Sequence, residues 1–194
     1  MLRAIYDWTM RLAAHPHALA WLALIACVES IFFPIPPDVM IIPMVLAARE
    51  RAWKIAAVAT LASAVGGVIG YGVGYFLYEE VGKPIIAFYG YADKYATFQG
   101  WYADYGAWIV GAGGFTPIPY KVITIASGVV QLDFTTFAVV SILSRGARFF
   151  MVAALLWRFG APIRGFVEAR LGLLALLFFI MLFLGFIVIG MAIK

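Results

Sequence analysis

Charge is what this sequence has least of. Only 12% of its 194 residues are Asp, Glu, Lys or Arg, against 65% hydrophobic residues and a mean hydropathy of +0.98. A soluble domain carries about 25% charged residues, so a water-facing surface cannot be assembled from this composition. Cysteine is nearly absent: the single Cys27 lies in an apolar run, which excludes an internal disulfide and leaves the redox compartment unread. Histidine is confined to His15 and His17 around Pro16, and there is no HExxH, no Gly-x-Ser-x-Gly and no Cys/His cluster. Ser127-Gly128 has no membrane-embedded histidine to complete a dyad. The expectation is therefore no enzyme, no metal and no cofactor. The basic residues form no stripe, so nucleic acid is not an expected partner. A cleavable leader is not expected either, because residues 1–17 carry Arg3, Asp7 and Arg11 and lack an apolar stretch ending in a cleavage site.

What is present is a succession of apolar segments interrupted at two places. Residues 1–17 begin with an amphipathic stretch that fits an interfacial helix. The apolar region 18–48 is cut by Pro34, Pro36, Pro37 and Asp38. Its first arm, Ala18 to Phe33, reaches roughly 24 Å as a helix and its second arm is shorter, so neither comfortably crosses a ~30 Å hydrocarbon core. A re-entrant hairpin follows, whose non-helical tip must be buried in protein or line a wet cavity. Residues 55–77 are long enough to cross, and carry Gly66, Gly70 and Gly74 at spacing four, a stripe for close helix packing. Residues 78–105 read as an interfacial connection with Tyr91, Tyr95, Phe98, Tyr102 and Tyr105 on one face. A second broken region, 106–132, contains Pro117 and Pro119. Residues 134–157 can cross, and 171–193 form an uninterrupted apolar segment.

A shift of 83 positions lays Phe32-Phe33-Pro34-Ile35-Pro36-Pro37-Asp38-Val39 over Phe115-Thr116-Pro117-Ile118-Pro119-Tyr120-Lys121-Val122, with Asp38 opposite Lys121. The same element order follows each break. Eight Lys/Arg (Arg3, Arg11, Arg49, Arg51, Lys54, Arg158, Arg164 and Arg170) fall on one side of the resulting topology, which assigns that side and the N-terminus to the cytoplasm. The expected fold is an all-α integral membrane protein: two oppositely oriented re-entrant hairpins, about three transmembrane helices, an inverted repeat, and N-terminal and central interfacial helices. Two full crossings per broken region would give the same loop sidedness; helix length favours the hairpins. Inverted repeats with broken helices point to a transport site.

Five ionisable residues lie within apolar segments: Glu29, Asp38, Lys121, Arg145 and Arg148. Each costs on the order of 2.5–3.5 kcal/mol at a helix centre, so pairing is required. Two carboxylates against three cations leave a net positive centre, for which an anion is the natural partner. Arg145 and Arg148, three residues apart, share a helix face that can grip one phosphate. Glu29 and Asp38 are candidates for reversible protonation in gating or coupling. The competing account is a static buried network that only fixes the fold.

Gly114-Phe115-Thr116-Pro117-Ile118-Pro119-Tyr120-Lys121-Val122 with Ala126-Ser127-Gly128, Glu29, Pro36-Pro37-Asp38 and Arg145 resemble the DedA family of SNARE-associated or VTT-domain proteins across about residues 18–165. That resemblance implies two re-entrant hairpins, a bacterial inner (plasma) membrane location, and movement of phospholipids or polyprenyl phosphates between leaflets, proton-driven in some members. It also implies functional acidic residues in the first hairpin, at Glu29 and Asp38. Many members carry an Arg immediately before the second-hairpin Phe, where this chain has Gly114, and a further basic residue after its Pro, where only Lys121 stands nearby. Membrane lipids and protons are the expected partners; oligomeric state is not readable. A proton-coupled transporter of a small solute and a non-transporting assembly factor are the alternative functions.

Overall fold

The computed structural model describes residues 15–32, 36–88, 90, 92–116 and 119–160, and these are all-helical with no strand among them. The segments 1–14 and 161–194, which hold most of the expected N-terminal interfacial helix and the expected C-terminal crossing helix, lie outside the described residues. So do Pro34 and Pro117 of the two breaks.

Among the described residues seven α-helices follow in order. α1 (Ala18–Glu29) and α2 (Asp38–Ala47) have 12 and 10 residues, about 18 and 15 Å at 1.5 Å per residue. Proline sets the gap between them: it denies the chain a backbone donor and disfavours helix at the preceding residue. Pro43 lies inside α2. After a short 3₁₀ turn at Arg49–Arg51 comes α3 (Ala52–Leu77), which continues through a π-helical turn at Tyr78–Gly82. Then follow α4 (Lys83–Phe88), α5 (Ala92–Phe115), α6 (Tyr120–Val129) and α7, which starts at Phe134 and is described to Gly160. The α3 and α7 stretches are long and apolar enough to cross a bilayer.

One boundary differs from expectation. The division at residues 105/106, between an interfacial connection and the second broken region, falls inside the continuous 24-residue α5. No proline interrupts residues 92–115, and the glycines there are compatible with a helix held by its neighbours. The aromatic face on α5 is partly a packing face. Tyr102 is buried, and the Tyr95 hydroxyl donates to the Val129 carbonyl at the end of α6. Tyr105 stays exposed, and Tyr91 lies outside the described residues.

α3 is the wall against which both broken regions pack, chiefly through α1 and α6. Its glycine stripe does this directly. A Cβ on Gly66 would stand 2.1 Å from the Cys27 carbonyl oxygen in α1, and one on Gly74 2.0 Å from the Ile125 carbonyl oxygen in α6. Two apolar clusters result. One joins Leu22, Met40, Val45, Ile55, Phe149 and Leu156; the other joins Val110, Tyr120, Ile123 and Phe137. The residues between them on α3 and α7 are the polar ones described below.

α7 is started by Asp133, whose Oδ1 accepts from the Thr136 backbone N–H at 2.8 Å and from its hydroxyl at 2.7 Å. The backbone bond, then the hydroxyl bond, hold the Asp133 carboxyl below the ordinary carboxylate value. An acid depressed on folding stabilises the fold above its unfolded pKa, about 3.9, and that contribution is lost as pH falls through the lower folded value. The melting-temperature gap between wild type and Asp133→Ala, followed in detergent from pH 7 to pH 3, is therefore expected to be constant near neutrality and to close in the acid range.

Candidate functional site

Position along α3 and α7 locates the polar centre. At one end Trp53 packs against Phe150 and Trp157, with ring centroids 6.1 and 6.2 Å apart. At the other, Tyr71 meets both Phe134 and Tyr75, and Tyr78 stacks on Tyr95. Ser63 lies ten residues after Trp53 and twelve before Tyr75, roughly 15 and 18 Å along α3. It is fully buried.

Arg145 reaches it from α7. Its Nε donates to Ser63 Oγ at 2.7 Å, and its Nη2 donates to Glu29 Oε2 at 2.9 Å. The faces of the guanidinium are covered: its Cζ lies 4.8 Å from the Tyr120 ring centroid and 4.6 Å from that of Phe149. Ser63 Oγ lies 2.8 Å from Ser30 Oγ, which donates to the Ala26 carbonyl at 3.0 Å. A guanidinium can only donate. The chain therefore has one direction, from Arg145 through Ser63 and Ser30 to the α1 backbone, with each hydroxyl accepting once and donating once.

Arg148, one helical turn further, makes a different set of contacts. Nη2 donates to Asp38 Oδ2 at 2.8 Å, while Nη1 donates to the carbonyls of Thr116 and Phe115 at 2.9 and 3.3 Å. Its Nε is buried and meets no acceptor among the described residues. Lys121 Nζ donates to the Phe32 carbonyl at 3.2 Å, and Thr124 Oγ1 to the Ser30 carbonyl at 3.2 Å. Phe32 and Phe115 are equivalent in the 83-residue repeat, and each presents a carbonyl at the end of a helical arm. The last carbonyls of a helix carry partial negative charge and lack intrahelical donors; here a cation meets each one.

The five candidate charges thus converge, with two differences from expectation. Arg145 and Arg148 do not point at a common point: each faces its own carboxylate. Asp38, opposite Lys121 in the repeat, pairs with Arg148. The two pairs also differ in burial. Arg145 and Glu29 side chains are 4% and 13% exposed, Arg148 and Asp38 17% and 19%, so the second pair is the one near a surface. Asp38 opens α2, where a carboxylate suits the helix N-terminus. Of the break prolines, Pro37 precedes α2 and Pro119 precedes α6 as their N-cap residues, and Pro36 is half-buried. A side chain at Gly114 would have to displace Ser144, because a Cβ would lie 2.2 Å from Ser144 Oγ. Positive charge at that end of α5 arrives instead from α7, through Arg148.

Sequence reasoning missed the hydroxyl partners Ser30, Ser63 and Thr124 and the Tyr120 ring that covers Arg145. The available signal was that Ser63 is a buried-depth hydroxyl in an otherwise Ala/Gly/Val-rich run. Among the described residues no three His, Cys, Asp or Glu converge as metal ligands. A recess of about 500 Å³ bordered by Gln99, Asp104, Gln131 and Asp133 lies away from these charges, toward the start of α7.

Comparison with known proteins agrees with this architecture. The VTT domain family matches residues 35–158. An uncharacterised protein of Haemophilus influenzae is 41% identical over 168 residues, covering 84% of this chain and 87% of its own length. An uncharacterised protein of Histophilus somni has the same identity and coverage. No solved structure matches. A match over well more than half of the chain, taking in α3 and all but the last two described residues of α7, makes this chain a member of the VTT-domain (DedA) family of membrane proteins.

Proposed function

We propose that this protein moves a lipid with an anionic headgroup, a phospholipid or a polyprenyl phosphate, between the leaflets of the bacterial inner membrane, with its N-terminus cytoplasmic. The observation that carries the proposal is Arg148 at mid-chain of α7, joined at once to Asp38 of the first broken region and to the Phe115 and Thr116 carbonyls of the second. A cation shared between both breaks is a place where a phosphate can compete with Asp38. Lys121 stands at the N-terminus of α6, which has no acidic residue in its first turn and no side-chain cap; such an end favours an anion.

In this proposal Arg145 does not bind the headgroup. It is sandwiched between two rings and held by Ser63 and Glu29, and serves as the fixed strut against which the first broken region rests. Arg148 and Lys121 bind, and Asp38 exchanges between Arg148 and a proton as the headgroup arrives and leaves. The re-entrant insertion of α1–α2 and of the second break from opposite faces is part of the same proposal, supported by helices of about 18 and 15 Å against a ~30 Å core.

Leaflet exchange of a fluorescent phospholipid in reconstituted vesicles tests it. The full chain is expected to accelerate exchange, and Arg148→Gln to reduce it by roughly tenfold, the scale of one charge-assisted contact of about 1.5 kcal/mol or more. Exchange no faster than in empty vesicles sinks the proposal. The second reading, a non-transporting homeostasis factor whose charges only lock the fold, is favoured by the fact that both arginines already have carboxylates at 2.8–2.9 Å. It predicts that Arg148→Gln changes stability and leaves exchange where it was. Solute-dependent proton flux without lipid movement would point instead to transport of a small solute.

A further inference from the structure

Tyr120 separates two environments. One face of its ring covers the Arg145 guanidinium, while its hydroxyl is buried beside Gly67 of α3, where a glycine Cβ would sit 3.3 Å from the oxygen. The hydroxyl faces Ser141 Oγ of α7 without closing a bond of good geometry, and neither oxygen has a hydrogen-bond partner among the described residues. Both side chains are at least 99% buried. Two orphaned hydroxyls in one place are expensive to keep unless a ligand satisfies them.

Ser141 is also the polar residue at the floor of an otherwise apolar groove of about 340 Å³ between α3 and α7, walled by Leu61, Val65 and Ile69 on one side and Ala138 and Ile142 on the other. The volume falls in the range of small-ligand pockets, about 300–1,000 Å³. The groove runs between two helices able to cross the bilayer, so hydrocarbon is what surrounds it. Gly67, at the level of the hydroxyls, is eight residues from Tyr75, roughly 12 Å inward along α3. A lipid at rest keeps its ester oxygens at the edge of the hydrocarbon, and only a lipid drawn inward brings them to this level.

We propose that the α3/α7 groove holds an acyl chain of a glycerophospholipid in passage, and that the Ser141 hydroxyl, with the Tyr120 hydroxyl behind it, donates to the ester carbonyl. The inference rests on the lipid-transport reading above and narrows it: an ester-linked phospholipid fits this site, and a polyprenyl phosphate, which has no carboxylic ester, does not. The headgroup lies on the Arg148 side of Tyr120 and the tail on the Ser141 side. Tyr120, at the first turn of α6 directly after Pro119, is the partition that both must pass.

The test uses the full chain in vesicles of phosphatidylglycerol and phosphatidylethanolamine, with diester and diether phosphatidylglycerol probes that share one headgroup. Diester exchange is expected to be about fivefold faster than diether, the scale of one net hydrogen bond. Tyr120→Phe and Ser141→Ala are each expected to shrink that preference without lowering the melting temperature, since each removes an orphaned hydroxyl. Equal rates for the two probes, or a preference that survives both substitutions, overturn the inference while leaving lipid transport standing. If neither probe exchanges, transport itself has failed, and a benzoylphenylalanine placed at Val65 decides the groove. A one-lipid adduct several-fold above that from the same group at Leu155, and lost with Ala138→Trp, supports the acyl site. Adducts equal at both positions, or a cross-linked chain dimer at Val65, overturn it.

Discussion

Replacing Arg145 with methionine is expected to cost on the order of 3–5 kcal/mol of stability, enough to leave little folded protein, because it strands the Glu29 carboxylate in a water-poor interior. Glu29→Gln is expected to be milder, since glutamine keeps an acceptor for Arg145 but leaves its charge uncompensated. The informative variant is the double Glu29→Met, Arg145→Met. Removing both charges together avoids the stranded ion, so the double is expected to recover more than half of the loss of Arg145→Met alone. Apparent unfolding free energies in one detergent for wild type, Glu29→Met, Arg145→Met and the double give the coupling directly. Near-additive losses would mean that the 2.9 Å pair contributes little and that Arg145 acts through Ser63 and its ring contacts. Leaflet exchange measured on the folded double separates the two roles: a strut can be rebuilt from methionine, whereas a headgroup ligand cannot.

The same variants bear on why only part of the site is legible in the sequence. A charge inside an apolar run announces itself, because the cost of leaving it unpaired is several kcal/mol; all five candidates were visible for that reason. Which charge pairs with which was not visible. Glu29 and Arg145 are 116 positions apart, and Asp38 and Arg148 110, and nothing local distinguishes those pairings from Asp38 with Lys121, the match the repeat suggests. The deciding factor is the rotation of α7. Arg145 and Arg148 are about 300° apart in sequence rotation, so they lie on adjacent but distinct strips, and α7 places one against α1 and α3 and the other against the two breaks. Serines were illegible for a different reason. In an apolar helix a serine reads as a small packing residue, and Ser63 becomes a hydrogen-bond relay only once Arg145 arrives from the far end of the chain.

Helix existence was legible from apolar length and proline, and the starts of α2 and α6 follow directly from Pro37 and Pro119. The continuity of α5 through residue 106 was not. A change from polar-aromatic to apolar composition looks like a boundary between two environments, and a single helix can pass from one to the other without a break. Composition reports the surroundings of a segment, while only proline, glycine and capping chemistry report where its backbone turns.

Gly74→Ala and Gly128→Ala are expected to be, with Gly66→Ala, the most damaging single-atom additions among the described residues, on the order of 3 kcal/mol each, at the upper end for overpacking. The two glycines face each other's helices. A Cβ on Gly74 would stand 2.0 Å from the Ile125 oxygen of α6, and one on Gly128 2.0 Å from the Tyr71 oxygen of α3. In both cases the obstacle is backbone, so no side-chain rotation relieves it and the helices must separate. Separation reaches the site. Thr124, next to Ile125 on α6, donates to the Ser30 carbonyl, and Lys121, one turn earlier, donates to the Phe32 carbonyl; both bonds depend on α6 lying against α3 and α1. Gly72 supplies the control within the same helix. A Cβ there meets nothing within 4 Å, so Gly72→Ala is expected to raise stability by up to about 1 kcal/mol through helix propensity alone. Opposite signs for Gly72→Ala and Gly74→Ala, measured by thermal unfolding in detergent, would show that α3 tolerates alanine and that the α3–α6 contact does not. A loss at Gly74 no larger than the gain at Gly72 would mean that α6 can stand off from α3, and the bonds from Lys121 and Thr124 across to the first break would then not be a fixed feature of the fold.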